Sequence, residues 1–203
     1  MKIAIVDYGM GNLYSVGKAF TRLGVAAAAT SDALAIRRAD KIVLPGVGAF
    51  GDCMRNLEAC GLVEVIREVV AAGKPFLGIC LGMQLLFEGS EEDPGVPGLG
   101  ILPGLVRRID APGMKVPQMG WNSLELTGES PLFAGLPAPA YVYFVHSYHA
   151  VPADGKVVTA VTQYGGQVTA AVGRGNLQAV QFHPEKSGTV GLKILENFKE
   201  LEQ

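Results

Sequence analysis

Short β-branched runs at residues 2–6, 41–44 and 75–79, with a weaker one at 24–29, stay apolar instead of alternating between apolar and polar positions. Strands of that kind need cover on both faces, which parallel sheets receive from the helices that link their strands. Segments with helical spacing lie between these runs. One covers 13–23 and is stopped by Gly24; another covers 62–72 and is stopped by Gly73. Glycine just past a helix end supplies a left-handed residue that other side chains adopt only at a steric cost. Strands alternating with helices imply parallel strands joined by crossovers.

The second half reads differently. Residues 91–103 are rich in Gly and Pro and predict a loop. Strand-like runs then recur at 105–109, 141–150, 156–163, 167–172 and 178–182, some divided by glycine turns such as Tyr164-Gly165-Gly166. They predict an antiparallel extension of the same sheet. A last helix is expected over 187–201, with Val190, Ile194, Phe198 and Leu201 on one stripe. The expected fold class is α/β: a mostly parallel central sheet flanked by helices, with an antiparallel extension in the C-terminal half, as one domain over 1–203.

Composition removes several function classes. A formal net charge of -2 offers no basic face for nucleic acid. No apolar run reaches the roughly 18 residues that span a bilayer. The opening Met1-Lys2-Ile3-Ala4-Ile5-Val6-Asp7 lacks the apolar core of a signal peptide. Three cysteines, at 53, 60 and 80, argue against a disulfide scaffold and for a reducing compartment, hence a cytoplasmic protein. Cys53 and Cys60 lack histidines at zinc-ligand spacing and read as small buried side chains. No metal site and no cofactor are expected.

Three segments carry chemistry. Gly78-Ile79-Cys80-Leu81-Gly82 lies between an apolar strand and a helix-like run at 83–88. A nucleophile between glycines at a strand-to-helix turn is the nucleophile-elbow pattern, here with cysteine. The helix start favours thiolate, and the Leu81 amide is placed to hold an oxyanion. In His183-Pro184-Glu185, the residue before proline is pushed to extended geometry, where residues two apart share a side. Glu185 can then orient His183 as the base a cysteine nucleophile needs. Leu44-Pro45-Gly46-Val47-Gly48-Ala49 follows a strand and lacks the lysine and hydroxyl of a phosphate-binding loop; Val47 and Gly48 are candidates for a second oxyanion donor. The segment Asp7-Tyr8-Gly9-Met10-Gly11-Asn12 lacks the third glycine of a dinucleotide fingerprint, so it reads as a loop for packing or for a partner. A thiol sensor or binding module, and a cysteine hydrolase acting on other amides, remain open on these residues alone.

The elbow, the His-Pro-Glu segment and the Pro45–Gly48 loop together resemble class I glutamine amidotransferases. Within them, Val6-Asp7-Tyr8-Gly9-Met10-Gly11-Asn12-Leu13, Val116-Pro117-Gln118-Met119-Gly120-Trp121-Asn122 and Tyr143-Phe144-Val145-His146-Ser147-Tyr148 are similar to the glutaminase subunits of imidazole glycerol phosphate synthases. Gln118 departs from the histidine often found there. The resemblance implies a Cys80–His183–Glu185 triad that hydrolyses L-glutamine, and a heterodimeric partner, a cyclase subunit with a TIM-barrel fold, that takes the ammonia for histidine biosynthesis. It implies that Gln84, Glu92 and the backbone of Ser147 and Tyr148 bind the glutamine head group. It also implies that Asn12, Trp121 and Tyr143 lie at the partner interface or ammonia route.

Overall fold

A computed structural model describes residues 1–202. The chain runs β1 (Ile3–Val6), α1 (Leu13–Arg22), β2 (Ala27–Thr30), α2 (Ala33–Arg38), β3 (Lys41–Gly46), α3 (Phe50–Ala59), α4 (Val63–Ala71), β4 (Phe76–Cys80) and α5 (Leu81–Gln84). It continues through β5 (Gly89–Ser90), β6 (Gly104–Arg108), β7 (Gln118–Leu126), β8 (Ala140–His146), β9 (Tyr148–Pro152), β10 (Val158–Gln163), β11 (Gln167–Arg174), β12 (Leu177–Val180) and α6 (Gly188–Glu200). Gly24 and Gly73, the expected helix stops, have φ of 73° and 74°.

Nine strands form one sheet in the order β2-β1-β3-β4-β12-β11-β10-β7-β8. The first five are mutually parallel, and the rest continue antiparallel. Successive side chains of a strand leave on opposite faces. Ile42 and Leu44 accordingly pack on one side with Leu57 and Ile66 of α3 and α4. Val43, Leu77 and Ile79 pack on the other with Val16 and Phe20 of α1 and Ile194 and Phe198 of α6. That double cover explains why the N-terminal runs do not alternate.

The structure departs from the sequence reading in several places. Part of the second half leaves the main sheet: β5, β6 and β9 form a separate three-stranded sheet. The run at 141–150 breaks at Ser147 into β8 and β9, and β12 returns parallel to β4. The helix expected over 83–88 is the single turn Leu81–Gln84, so it brings little macrodipole to Cys80. Cys53 is buried, but Cys60 caps the end of α3 and is exposed. Among the described residues, no helix is long and apolar enough to cross a membrane.

Candidate active site

Three neighbouring strands, β3, β4 and β12, bring the three chemical segments to one edge of the sheet. Gly46 is in register with Cys80, and Ile79 with Val180. The carboxyl ends of these strands therefore present the Val47–Gly48 loop, the cysteine and the segment leading to His183 side by side, where open α/β sheets gather their ligands.

Cys80 has φ 55° and ψ -114°, and it is the one non-glycine residue with positive φ among the described residues. Few L-residues adopt that conformation without strain. Packing imposes it. A Cβ on Gly82 would overlap the Leu44 carbonyl, and one on Gly78 would sit 2.9 Å from the Gly82 oxygen. Strand and turn thus pack backbone on backbone, and Cys80 takes up the bend.

His183 reaches the same edge from β12. It is extended (φ -102°, ψ 95°) and is followed by a 3-10 turn, Pro184–Lys186. The turn, rather than a continuous extended strand, brings Glu185 back: His183 Nδ1 lies 2.9 Å from Glu185 Oε1, with side-chain exposures of 3% and 1%. Nε2 is buried and has no hydrogen-bond partner among the described residues. Burial alone would lower the His183 pKa. The adjacent Cys80 sulfur and the Glu185 carboxylate outweigh it and push it up to about 9. The ring is then imidazolium at neutral pH, the cationic setting in which cysteine nucleophiles work.

A cleft of about 300 Å³ opens over these groups. Cys80, Leu81, His183, Val47, Gly48, Gln84, Glu92, Ser147 and Tyr148, all expected from sequence, line it. Glu185 lies behind His183. Trp121, 57% exposed, meets Tyr143 edge-on at 6.1 Å, and Asn12 caps α1 through Ser15 N. These three lie outside the cleft lining.

The hydrogen bonds refine several roles. Gln84 Nε2 donates to Tyr148 O (3.0 Å) and Gln181 Oε1 (2.9 Å), so only its oxygen remains for a ligand. Tyr148 O also accepts from His146 Nδ1 (2.7 Å), which uses both of its lone pairs. Glu92 Oε2 accepts from Phe50 N at 2.9 Å, capping α3 just beyond the Val47–Gly48 loop.

Sequence reasoning missed four residues here. Gln181, fully buried, brings Nε2 to 3.8 Å from Cys80 Sγ. Tyr8 donates its hydroxyl to Pro45 O (2.8 Å), and Cys53 its thiol to Val47 O (3.4 Å). Burial pushes the Cys53 thiol up to about 11, so it stays a donor. The Val47 carbonyl points to Cys53, so the Gly48 N–H of the same planar peptide points away from it. His146 lines the cleft, and burial lowers its pKa to about 4. Neutral and donating from Nδ1, it must accept at Nε2, yet Gln118 Oε1 lies there at 2.9 Å and Gln118 Nε2 is left unpaired; exchanging the two amide atoms satisfies both groups. In the sequence, Gln181 and His146 are marked only by their polarity beside apolar residues, and Tyr8 and Cys53 carry no such mark. Among the described residues, no group of three or more His, Cys, Asp or Glu could hold a metal ion.

The chain matches the family "Glutamine amidotransferase class-I" over residues 4–201. It is 54% identical to the imidazole glycerol phosphate synthase subunit HisH of Moorella thermoacetica, over 98% of this chain and 94% of that protein. It is 53% identical to HisH of Methanothermobacter thermautotrophicus, over 98% of each. Among solved structures, a glutamine amidotransferase crystal structure superposes with a TM-score of 0.71 at 24% identity, covering 97% of this chain and 98% of that one. The structure of PurLQS from Thermotoga maritima gives 0.74 at 19% identity, over 98% and 97%. At those identities the structural likeness establishes the fold.

Proposed function

The chain belongs to the class I glutamine amidotransferase family, and from that premise we propose that Cys80, His183 and Glu185 are the triad with which it hydrolyses L-glutamine. It is an enzyme, the glutaminase subunit of an imidazole glycerol phosphate synthase, and it works with a partner subunit in histidine biosynthesis. The finer reading is that residues 1–203 form one amidotransferase domain, that the protein is cytoplasmic, and that its partner is a TIM-barrel cyclase. The observation that carries the triad is the cleft in which a strained cysteine meets an imidazolium braced by a buried carboxylate.

In this reading Cys80 sulfur, as thiolate, attacks the side-chain amide carbon of glutamine. The tetrahedral oxyanion is held by the Leu81 amide and one from the Val47–Gly48 loop; the direction of the Gly48 N–H supports the second. His183 gives its proton to the departing nitrogen, the C–N bond breaks and ammonia leaves. A γ-glutamyl thioester remains on Cys80. Neutral His183 then takes a proton from water, hydroxide attacks the thioester, and glutamate departs as the thiolate is regenerated. Glu185 accepts from Nδ1–H throughout and fixes the tautomer. Gln84 offers its free oxygen, and Glu92 its second oxygen, to the ligand's N–H groups. Asn12, Trp121 and Tyr143 face the partner or the ammonia route, and the exposure of Trp121 supports this.

The test is glutamate release by the isolated chain and by the chain with a cyclase subunit and its nucleotide ligand. Stimulation by the partner and its loss in Cys80→Ala are expected. A folded Cys80→Ala protein with near-normal hydrolysis would sink the triad, and hydrolysis indifferent to the cyclase would sink the partner assignment.

A further inference from the structure

His183 is held by its backbone as well as by its ring. Its N–H donates to Tyr143 O (2.9 Å). Tyr143 N–H donates to Ser187 Oγ (3.0 Å), and Ser187 Oγ–H donates to His183 O (2.6 Å), which also accepts from Lys186 N (3.0 Å). The first three bonds close a ring between the two residues through one hydroxyl. Ser187 is 1% exposed and His183 2%, so water does not share these groups.

Two features show that this arrangement is specific. Ser187 occupies the N-cap position of α6, yet its side chain makes no capping bond. Serine there ordinarily caps the helix; this one turns back to His183 instead. Secondly, β8 is the last strand of the sheet. Tyr143, opposite Trp121 in the register, sends both its N–H and its C=O away from β7, as the non-hydrogen-bonded pairs of an antiparallel ladder do. The free edge of β8 is thereby used to seat the His183 turn. A hydroxyl suits the task because it donates once while accepting.

We propose that Ser187 is a positioning residue that fastens His183 to the edge of β8 and so fixes the distance between imidazole and Cys80. The proposal rests on His183 acting with Cys80. Alanine at 187 leaves the Tyr143 N–H without its acceptor and the His183 carbonyl with one donor fewer, freeing the turn to shift. A shift of about 1 Å in a catalytic group lowers turnover on the order of 100-fold.

The test uses the full chain with its partner subunit. In Ser187→Ala, kcat for glutamine hydrolysis should fall about 10- to 100-fold with KM nearly unchanged, and Ser187→Thr, which keeps the hydroxyl, should recover most of it. The pH dependence of iodoacetamide alkylation of Cys80, followed at that peptide by mass spectrometry, should change when His183 is no longer held beside the sulfur. A merely structural weakening would not move that profile. If Ser187→Ala does not fold, Ser187→Cys carries the same readouts with a weaker donor. A folded variant with kcat within about twofold of the parent and an unmoved profile would overturn the proposal. His183→Ala separates the two readings: if it too leaves the profile unmoved, the pairing of His183 with Cys80 fails; if it moves the profile while the Ser187 variants do not, only the role of Ser187 fails.

Discussion

The strain at Cys80 can be measured by comparing two variants that both lack the thiol. Cys80→Ala keeps a Cβ at φ 55°, ψ -114°, a region that an L-residue occupies at a cost of up to about 3 kcal/mol. Cys80→Gly removes that cost. Against it stand the greater chain entropy of glycine, about 1 kcal/mol, and the loss of one buried methyl, about 0.8 kcal/mol. At the upper end of that cost the balance favours glycine by about 1 kcal/mol, which in a domain of this size raises Tm by about 3 °C. Urea denaturation followed by far-UV circular dichroism, with thermal melts at one protein concentration, reads the difference. A glycine variant equal to or less stable than the alanine variant would refute the argument that the fold holds the nucleophile in a strained turn.

Other perturbations follow from the same geometry. Glu185→Gln removes the charge that braces His183; hydrolysis should fall about 10⁴-fold, as when a triad acid is made neutral, and the His183 pKa read by NMR should drop from about 9; a loss under tenfold would exclude the bracing role. Gly82→Ala drives a methyl into the Leu44 carbonyl and should destabilise by about 3 kcal/mol or yield insoluble protein; a fully active, equally stable variant would mean that this close approach is not required. Stability should also peak near pH 6.5. His146, depressed from 6.5 to about 4, contributes fully above 6.5, and about 3 kcal/mol is lost as pH falls to about 4. His183, raised to about 9, contributes fully below 6.5 and loses its share as pH rises through about 9. A denaturation midpoint that stays flat across this range would contradict both shifts.

The sequence revealed the site better than its support. Cys80, His183 and Glu185 were legible because chemistry restricts residue type at short spacing, and because glycine and proline mark the turns that carry them. The parallel strands were legible because double burial suppresses alternation. Strand β7 was missed: its residues are mixed in exposure, and its place is set by pairing with β8 and β10, far away in sequence. The split of 141–150 at Ser147 follows from β9 joining β6 in a second sheet, a long-range choice that local propensity does not encode. Tyr8, Cys53 and Gln181 escaped for a related reason, since each acts through one polar atom on a distant backbone or side chain.

The glycine pattern itself decides between two uses of the loop after β3. A phosphate cradle needs glycines that leave a concavity of free N–H groups for a ligand. Here Gly46 has no concavity to offer: a Cβ on it would lie 2.8 Å from Gly82 N, 2.9 Å from Leu81 Cβ and 2.9 Å from the Tyr8 hydroxyl. With the Cβ on Gly82 blocked by Leu44, the two glycines interlock β3 with the turn after Cys80. Their absent side chains let two backbones approach until the Val47–Gly48 loop and the Leu81 amide flank one sulfur. A tetrahedral oxyanion needs donors that converge on a point beside the nucleophile, and the proposed hole would draw them from these two strands. Tyr8 and Cys53 then hold the loop by its carbonyls, and Glu92 holds it by the helix that follows. The interlocked glycines therefore favour the oxyanion role proposed for this loop over a phosphate cradle.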